Sequence, residues 1–109
     1  MNLKTALLSL QTNPTFTKYP LFYRKVWMAC LEIPSGETRT YGWVARRIGS
    51  PMAARAVGRA LALNPFAPQV PCHRVILSDG KLGGYSAPGG LLKKKKMLKK
   101  EFDKNGNKY

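Results

Sequence analysis

"TYGWVARRIGSPMAARAVGRALALNP", residues 40–65, is the stretch of the chain that decides the fold. The apolar side chains in its first half recur at helical spacing (i, i+3, i+4, i+7), at Tyr41, Val44, Ala45 and Ile48. Thr40 precedes them, where a side-chain oxygen can accept from the free amides of a first turn, and Gly49 follows them. The pattern predicts a short helix that begins after Thr40 and ends at Gly49.

A second helix follows almost at once. Ser50 and Pro51 restart the chain, with serine predicted at the N-cap and proline in the first turn. The helix is predicted over residues 52–63 and stops at Asn64-Pro65, because the residue before a proline is driven out of the helical conformation. Two helices joined by a tight turn predict a helix-turn-helix, although other helical hairpins share this spacing.

The second helix has little side-chain bulk and lies among positive charges. Its small residues are Ala53, Ala54, Ala56, Gly58 and Ala60. The arginines of the two helices are Arg46, Arg47, Arg55 and Arg59. The small residues have two interpretations: close packing against another helix, or a fit into a narrow space such as the DNA minor groove. In the second case Arg55 is the long projection.

The composition favours a polyanionic partner. Nineteen Lys and Arg against five Asp and Glu give a net charge of +14. With 109 residues and 44% hydrophobic content, the chain is typical of one globular domain. The charge favours nucleic acid, with an anionic membrane face and a merely solvated surface as alternatives.

The apolar pattern predicts neither a membrane span nor a secretory leader. No apolar run approaches the ~20 residues that cross a bilayer, and the opening "MNLKTALLSLQTNP" lacks a secretory hydrophobic region. We therefore expect no membrane partner and a cytoplasmic location, associated with the nucleoid, or with the nucleus in a eukaryote.

The segments before residue 40 predict a lead-in and a core helix. Residues 1–19 are expected to form a short lead-in, with a turn of helix over residues 3–10 and a loop through Asn13-Pro14. Residues 22–31 carry apolar side chains at close to helical period, and Cys30 lies on that stripe. We therefore predict a helix there, with Cys30 as a core residue.

A last helix is predicted over residues 91–102. Its apolar stripe consists of Leu91, Leu98 and Phe102, and its six lysines are expected to cover the rest of its surface. The lysine run 93–96 either contacts phosphates or is a solvated helix face. Residues 20–109 are thus expected to form a single domain.

"QVPCHRVILSDG", residues 69–80, places a cysteine beside the single histidine of the chain. Two cysteines, Cys30 and Cys72, are too few for a disulfide scaffold, and a bridge between them is not expected in a cytosol-like compartment. Together with His73 they offer too few ligands for zinc at these spacings. We expect no metal.

A nucleophilic Cys72 needs help, because the thiolate rather than the thiol attacks. Consecutive side chains of the extended segment expected here point to opposite sides, so the proton would reach His73 through a water molecule. The imidazole in turn needs an acid that orients it. Glu101 lies at the edge of the apolar stripe of the last helix, where it either faces inward or pairs at the surface with Lys100 or Lys104.

"PCHRV", residues 71–75, resembles the active-site motif of the O6-alkylguanine-DNA alkyltransferases. The resemblance extends over residues 36–76, including "ARAVG" and the "NP" eight residues before the cysteine, and on through "GGYSAPGG" to Glu101. It covers roughly residues 19–102. It implies an α/β, mainly helical fold: the C-terminal domain of that family, with a winged-helix-like helix-turn-helix. It also implies no cofactor.

The resemblance assigns a reaction to the site. Cys72 would take the alkyl group from O6 of a guanine that is flipped out of duplex DNA, and would keep it irreversibly. His73 would act as the water-mediated base, Glu101 as the acid that orients it, and Asn64 as a brace of the active-site segment.

It also assigns residues to DNA and to the flipped base. Arg55 would fill the gap in the base stack, and the minor groove would be lined by Ala53, Ala54, Ala56 and Gly58. Tyr41 would hydrogen-bond the guanine and press on the neighbouring phosphate. The remaining contacts to the base would come from Tyr85, the backbone amide of Ser86 and the carbonyls of Cys72 and Val75.

The sequence departs from the family pattern in two ways, and functions other than alkyl transfer therefore have to be considered. Many members have a separate N-terminal domain, which we expect here to be absent or reduced to a stub, and the loop "SAPGGLL" is about two residues longer than the shortest family versions. Compact length is also a property of the alkyltransferase-like damage sensors, which typically carry tryptophan in place of the cysteine. A helix-turn-helix transcription regulator is a third, more distant hypothesis. We favour a monomeric transferase whose partner is double-stranded DNA containing O6-alkylguanine.

Overall fold

A computed structural model of the chain describes residues 2–77 and 90–104. The helices are α1 (Leu3–Gln11), α2 (Pro14–Thr17), α3 (Leu21–Leu31), α4 (Tyr41–Arg47), α5 (Ala54–Ala62) and α6 (Gly90–Lys104). The strands are β1 (Arg39–Thr40) and β2 (Val75–Ile76), and a 3₁₀ turn spans Cys72–Arg74. The prediction of a mainly helical α/β fold is confirmed. Within the described ranges, no helix is both long and apolar enough to cross a bilayer.

The helix-turn-helix consists of α4 and α5, which pack on each other and on α3. The Thr40 hydroxyl accepts from the Trp43 amide at 2.9 Å, so the predicted N-cap of α4 is confirmed. Gly49 follows α4 with φ at +80°, a backbone conformation that residues with a Cβ atom rarely adopt.

The predicted N-cap of the second helix is wrong. Its cap position is Ala53, which provides no side-chain hydrogen bond, and not Ser50. The Ser50 carbonyl instead accepts from the Ala53 amide at 2.9 Å, which closes a separate turn before α5 begins. The helix therefore starts two residues later than its predicted first residue, 52.

The core is built around Trp27 of α3, which is fully buried. Its indole Nε1 donates to the Ala60 carbonyl on α5 at 2.9 Å, since a buried indole N–H needs an acceptor. Phe16, Tyr19 and Phe66 pack around its ring with centroids 4.8–6.2 Å away. The core thus joins α3, α5 and the N-terminal segment.

The N-terminal segment is folded onto this core. Leu10 and Phe16 are buried in it. The loop predicted through Asn13-Pro14 is instead the start of α2, because the Asn13 side chain accepts from the amides of Thr15 and Phe16 and proline occupies the first turn.

A two-stranded parallel pair connects the cysteine segment to the helix-turn-helix. Arg39 pairs with Val75 and Thr40 with Ile76. The extended conformation predicted for "VPCHRVIL" holds only at β2, since Cys72–Arg74 forms a 3₁₀ turn. The pairing places Cys72 close to the beginning of α4.

Candidate active site and DNA-binding surface

Cys72 opens the 3₁₀ turn, and its backbone is fixed by hydrogen bonds. Its amide donates to the Val70 carbonyl at 2.8 Å. The Cys72 side chain is buried, although 7% of the residue remains exposed, whereas Cys30 on α3 is fully buried. Burial raises the pKa of the Cys30 thiol, and Cys72 nearby raises it further, so Cys30 stays a neutral thiol in the core. The prediction of Cys30 as a core residue is confirmed.

Asn64 ties the end of α5 to the cysteine segment. Its Nδ2 donates to the Val70 carbonyl at 3.1 Å, the same oxygen that accepts from the Cys72 amide. Its Oδ1 accepts from the Phe66 amide at 2.8 Å. Asn64 and the Cys72 amide thus share one acceptor, which connects the residue after α5 to the backbone of the cysteine.

His73 and Glu101 meet across 28 residues of sequence. His73 is 2% exposed, and its Nε2 lies 3.0 Å from Glu101 Oε1. Because the carboxylate accepts, Nε2 carries the proton, and Nδ1 of the neutral ring keeps its lone pair. Nδ1 is buried and has no hydrogen-bond partner among the described residues. Of the two positions left open for Glu101, the structure shows the inward one.

Burial keeps the imidazole neutral. It lowers the pKa of His73, and although the nearby Glu101 carboxylate opposes this, the net shift stays downward. A neutral ring with an unprotonated Nδ1 can take up a proton, which is the state that a general base requires.

Arg74 completes the cluster and was not found from the sequence. Its Nε donates to both Glu101 oxygens at 3.0 and 3.1 Å, and its Nη2 donates to Oε2. Its Nη1 donates to the Ile33 carbonyl at 2.8 Å. Partial burial alone would raise the pKa of Glu101, but the hydrogen bonds from Arg74 and the neighbouring His73 outweigh it, so the pKa lies below its usual range. Glu101 is therefore an ionised acceptor.

Lys94 is the second residue that sequence reasoning missed. The lysines of the last helix were expected at the surface, but Lys94 is fully buried and its Nζ donates to the Val75 carbonyl at 2.7 Å. Burial lowers its pKa to about 8, against an opposing influence of Cys72. The signal was present, because position 94 lies three residues after Leu91 and four before Leu98, on the apolar stripe.

The residues predicted to contact the base fall into two groups. Tyr41 is half-buried at the start of α4, and burial, followed by the proximity of Cys72 and Cys30, raises the pKa of its hydroxyl. Val75 is buried in β2. Tyr85 and Ser86 lie outside the described residues.

The small residues of the second helix divide between the two interpretations. Ala60 is buried against Trp27, as close packing requires. The others are only partly buried: Ala53, Ala54, Ala56 and Gly58. Arg55 and Arg59 project from the same helix into solvent, and Arg46 and Arg47 are exposed on α4. The helix α5 thus combines partly buried small residues with exposed arginines.

No three His, Cys, Asp or Glu side chains come together as metal ligands in the described part of the chain. The side chains that lie together at this site are those of His73, Glu101 and Arg74, and His73 is next to Cys72 in the sequence.

Comparisons with known proteins assign the family. Residues 21–102 match the family described as 6-O-methylguanine DNA methyltransferase, DNA binding domain. The chain is 55% identical over 80 residues to a methylated-DNA–protein-cysteine methyltransferase of Mycobacterium bovis, with 73% of this chain and 47% of that protein covered. It spans about half the length of the curated relatives it matches.

Two solved structures resemble the fold. A crystal structure of Mycobacterium tuberculosis OGT in complex with DNA matches at TM-score 0.75 and 51% identity, covering 79% of this chain and 52% of that one. A crystal structure of S. pombe Atl1 in complex with damaged DNA containing O6-carboxymethylguanine matches at TM-score 0.66 and 41% identity, covering 73% and 74%. The chain therefore belongs to the 6-O-methylguanine DNA methyltransferase family, to which it is joined by the family's DNA-binding domain.

Proposed function

We propose that this chain repairs DNA by direct reversal: it binds duplex DNA, flips out an O6-alkylguanine and transfers the alkyl group to its own Cys72. The observation that carries the proposal is the cluster at Cys72, in which the next residue is a buried neutral histidine held by an ionised Glu101. A thiol next to an oriented base is the arrangement required for nucleophilic catalysis by cysteine.

The proton and the alkyl group move in opposite directions. His73 Nδ1 accepts the Cys72 proton through a water molecule, while Nε2–H stays bonded to Glu101. The thiolate displaces guanine O6 from the alkyl carbon, so a C–S bond forms as the C–O bond breaks. The products are S-alkylcysteine and a guanine anion, which regains one proton, equivalent to the one that Cys72 gave to His73, and each protein molecule acts once. No cofactor enters this balance.

The departing guanine carries negative charge that must be stabilised. The raised pKa of Tyr41 keeps its hydroxyl protonated, so it can donate a hydrogen bond to the base as that charge develops. The carbonyls of Cys72 and Val75 would accept from the exocyclic amine, and Tyr85 with the Ser86 amide would complete the pocket. Asn64 keeps the segment in register through Val70.

DNA binding is assigned to the outer face of α5. Its low relief suits the minor groove, where the small side chains Ala53, Ala54, Ala56 and Gly58 would contact the sugars. Arg55 would replace the extruded base in the stack and offset part of the unstacking cost of a few kcal/mol. Arg46, Arg47 and Arg59 would contact phosphates, which carry no sequence information.

A damage sensor that binds alkylated DNA without repairing it is the second candidate. It is favoured by the match to Atl1, since this chain covers 74% of that protein but only about half of the transferases. The presence of Cys72 beside His73 favours transfer. In either case we propose a monomer acting on double-stranded DNA, located in the cytoplasm with the nucleoid, or in the nucleus of a eukaryote.

The intact mass after incubation with a duplex containing O6-methylguanine tests the proposal. We expect the wild type to gain ~14 Da, the replacement of a thiol hydrogen by methyl. Cys72→Ala should gain nothing and still bind the duplex. Cys30→Ala is the matched control and should gain the same mass as the wild type, because Cys30 is buried in the core. Selective binding of the damaged duplex with no mass gain in any variant would replace the transferase by the sensor.

A further inference from the structure

The outward side of α6 carries a dense group of lysines. Its exposed members define the lysine face: Lys93, Lys95, Lys96, Lys99 and Lys100. Several of them lie three or four residues apart, where side chains on a helix are neighbours and like charges repel each other. The grouping therefore works against the stability of α6, and the packing of the fold does not require it.

No acidic side chain that the structure describes neutralises the lysine face. Glu32 and Glu37 pair with arginines outside α6. Glu101 is on α6 itself, but it lies on the inward side of the helix and pairs with Arg74. In the described part of the chain, the lysine face is therefore a second concentration of positive charge besides the arginines of α4 and α5.

The lysine face is turned away from the cysteine segment. The inward side of α6 packs on the 3₁₀ turn, with Leu98 fully buried and Glu101 bonded to His73. The surface assigned above to the lesion duplex belongs to α4 and α5, which pack on α3. The two basic surfaces thus lie on different elements, and we expect a duplex on α5 to leave the lysine face uncovered.

The length of the lysine face suits the charge density of duplex DNA. Residues 93–100 extend over about 10 Å of helix, and a duplex presents about six phosphates over that length of its axis. With about half of them on the side that faces the protein, about three contacts are available at one time.

A membrane surface fits the lysine face less well. A helix that lies on a bilayer inserts a broad apolar face. The apolar side of α6 is already packed inward at Leu98, and Leu92 is the exposed large apolar side chain of the described part of the helix. The charge of the lysine face therefore favours a polyanion that needs no apolar contact.

We propose that the lysine face binds the phosphates of a second duplex segment while α5 holds the first, so that one protein molecule bridges two segments of DNA. The inference rests on the proposed binding of the lesion duplex to α5. Because phosphate contacts carry no sequence information, any undamaged duplex can occupy the lysine face. Bridging would let the protein pass from one segment to another while it searches for a lesion.

The test measures capture of a second duplex by protein that is already bound to a first one. Beads carry a duplex containing O6-methylguanine, the protein is bound, and the excess is washed off. A fluorescent undamaged duplex is then added at low salt, and its capture is counted per retained protein molecule. Every protein in the test carries Cys72→Ala, so that the lesion is not consumed.

Two variants with the same loss of charge are compared. The lysine-face variant is Lys96→Gln/Lys99→Gln/Lys100→Gln, which removes neighbouring charges from the outward side of α6. Glutamine is chosen because its helix propensity is close to that of lysine. The control variant removes three exposed lysines outside α6: Lys4→Gln/Lys18→Gln/Lys25→Gln.

We expect the parent protein to capture the fluorescent duplex. The lysine-face variant should capture it at least about tenfold less well, because about three phosphate contacts are lost. The control variant should lose less than about twofold, since its lysines lie elsewhere. Both variants should be retained equally on the lesion duplex, which the lysine face does not contact.

Other results would overturn the proposal. Equal capture by the two variants would show that the lysine face is only a solvated surface. Weaker retention of the lysine-face variant than of the control on the lesion duplex would show that the lysines contact the same duplex as α5. Unchanged capture together with loss of binding to phosphatidylserine vesicles would assign the lysine face to a membrane.

The test separates this inference from the proposed function. If the parent protein is not retained on the lesion duplex, the proposed function fails and the inference fails with it. If the protein is retained but captures no second duplex, the inference alone fails. Circular dichroism checks folding, and if the lysine-face variant does not fold, Lys96→Gln/Lys99→Gln decides by the same comparison.

Discussion

The helix-turn-helix and the residues that pack around Cys72 differ in where their positively charged side chains lie. The arginines of α4 and α5 are exposed: Arg46, Arg47, Arg55 and Arg59. The cations behind the cysteine are buried or half-buried, and each has a defined acceptor: Arg74 bonds Glu101 and the Ile33 carbonyl, and Lys94 bonds the Val75 carbonyl. In the first group Arg47 also pairs with Glu32, but at the surface, whereas the bonds of the second group are buried or half-buried.

This difference predicts which charged residues can be replaced at little cost in binding or stability. Exposed ion pairs are screened by water and salt and contribute about 0–1 kcal/mol each. Loss of one partner from a buried pair costs several kcal/mol, because the other charge is left uncompensated. We therefore expect DNA affinity to be shared among many residues and the chemistry to depend on single ones.

The largest expected effect comes from breaking the buried pair with Glu101→Gln. The neutral amide would leave Arg74 without its counter-charge and would give His73 a weaker, uncharged acceptor. We expect transfer to slow by at least about a hundredfold and the free energy of unfolding to fall by on the order of 3 kcal/mol. Single-turnover kinetics and urea unfolding measure the two effects.

Glu32→Gln is the matched control for this change. Glu32 also pairs with an arginine, since Arg47 Nε lies 2.9 Å from its Oε1, but Arg47 is exposed. We expect a loss below about 1 kcal/mol and an unchanged rate of transfer. Equal losses from the two substitutions would remove the distinction between the two regions.

The next effect changes stability alone and concerns the alkaline range. The pKa of Lys94 falls from 10.5 to about 8 on folding. Between these values the unfolded chain binds more protons than the folded one, so the Lys94 contribution to stability rises with pH there. Relative to Lys94→Met, the free energy of unfolding of the wild type should increase by on the order of 3 kcal/mol from pH 8 to above pH 10. Parallel curves in urea unfolding would contradict the burial of this charge, and Lys95→Met should follow the wild type.

Arg55→Ala should have a more modest effect, on the exposed side. Loss of the side chain that fills the base stack should weaken binding to a lesion duplex by about tenfold, because extrusion of the base is no longer offset. Arg59→Ala, one helical turn later and also exposed, should change binding by less than about threefold. Fluorescence anisotropy with lesion and undamaged duplexes measures both. Equal losses in the two variants would show that Arg55 is simply one more phosphate contact.

The parts of this fold that could be predicted from sequence depend on local chemistry. Thr40 and Gly49 mark the ends of α4 through one hydrogen bond and one backbone conformation, both readable from neighbouring residues. The local pattern at Ser50 was misleading. Its side chain was expected to cap the second helix, but its carbonyl instead accepts from the Ala53 amide and closes a separate turn. Strands of two residues, such as β1 and β2, are too short for an alternating pattern.

The candidate site shows the same division. Cys72 and His73 were found as neighbours in a motif, Glu101 as a candidate from its place beside the apolar stripe of α6, and Asn64 through the family resemblance. Arg74 was missed because its partner lies 27 residues away, and only the packing of α6 brings the two together. Lys94 was missed because the lysine-rich composition of α6 concealed its place on the apolar stripe.

One measurement tests most directly whether the exposed charges bind DNA while the buried groups around Cys72 carry out the transfer. Affinity for a lesion duplex and the transfer rate constant at saturating duplex are both followed as salt rises. We predict that the logarithm of affinity falls with the logarithm of salt at a slope of about −3 or steeper, as expected for at least about four phosphate contacts. The rate constant should change by less than about twofold, because buried charges are screened little. A rate constant that falls in parallel with the affinity would contradict the account, since the chemistry would then depend on the exposed charges.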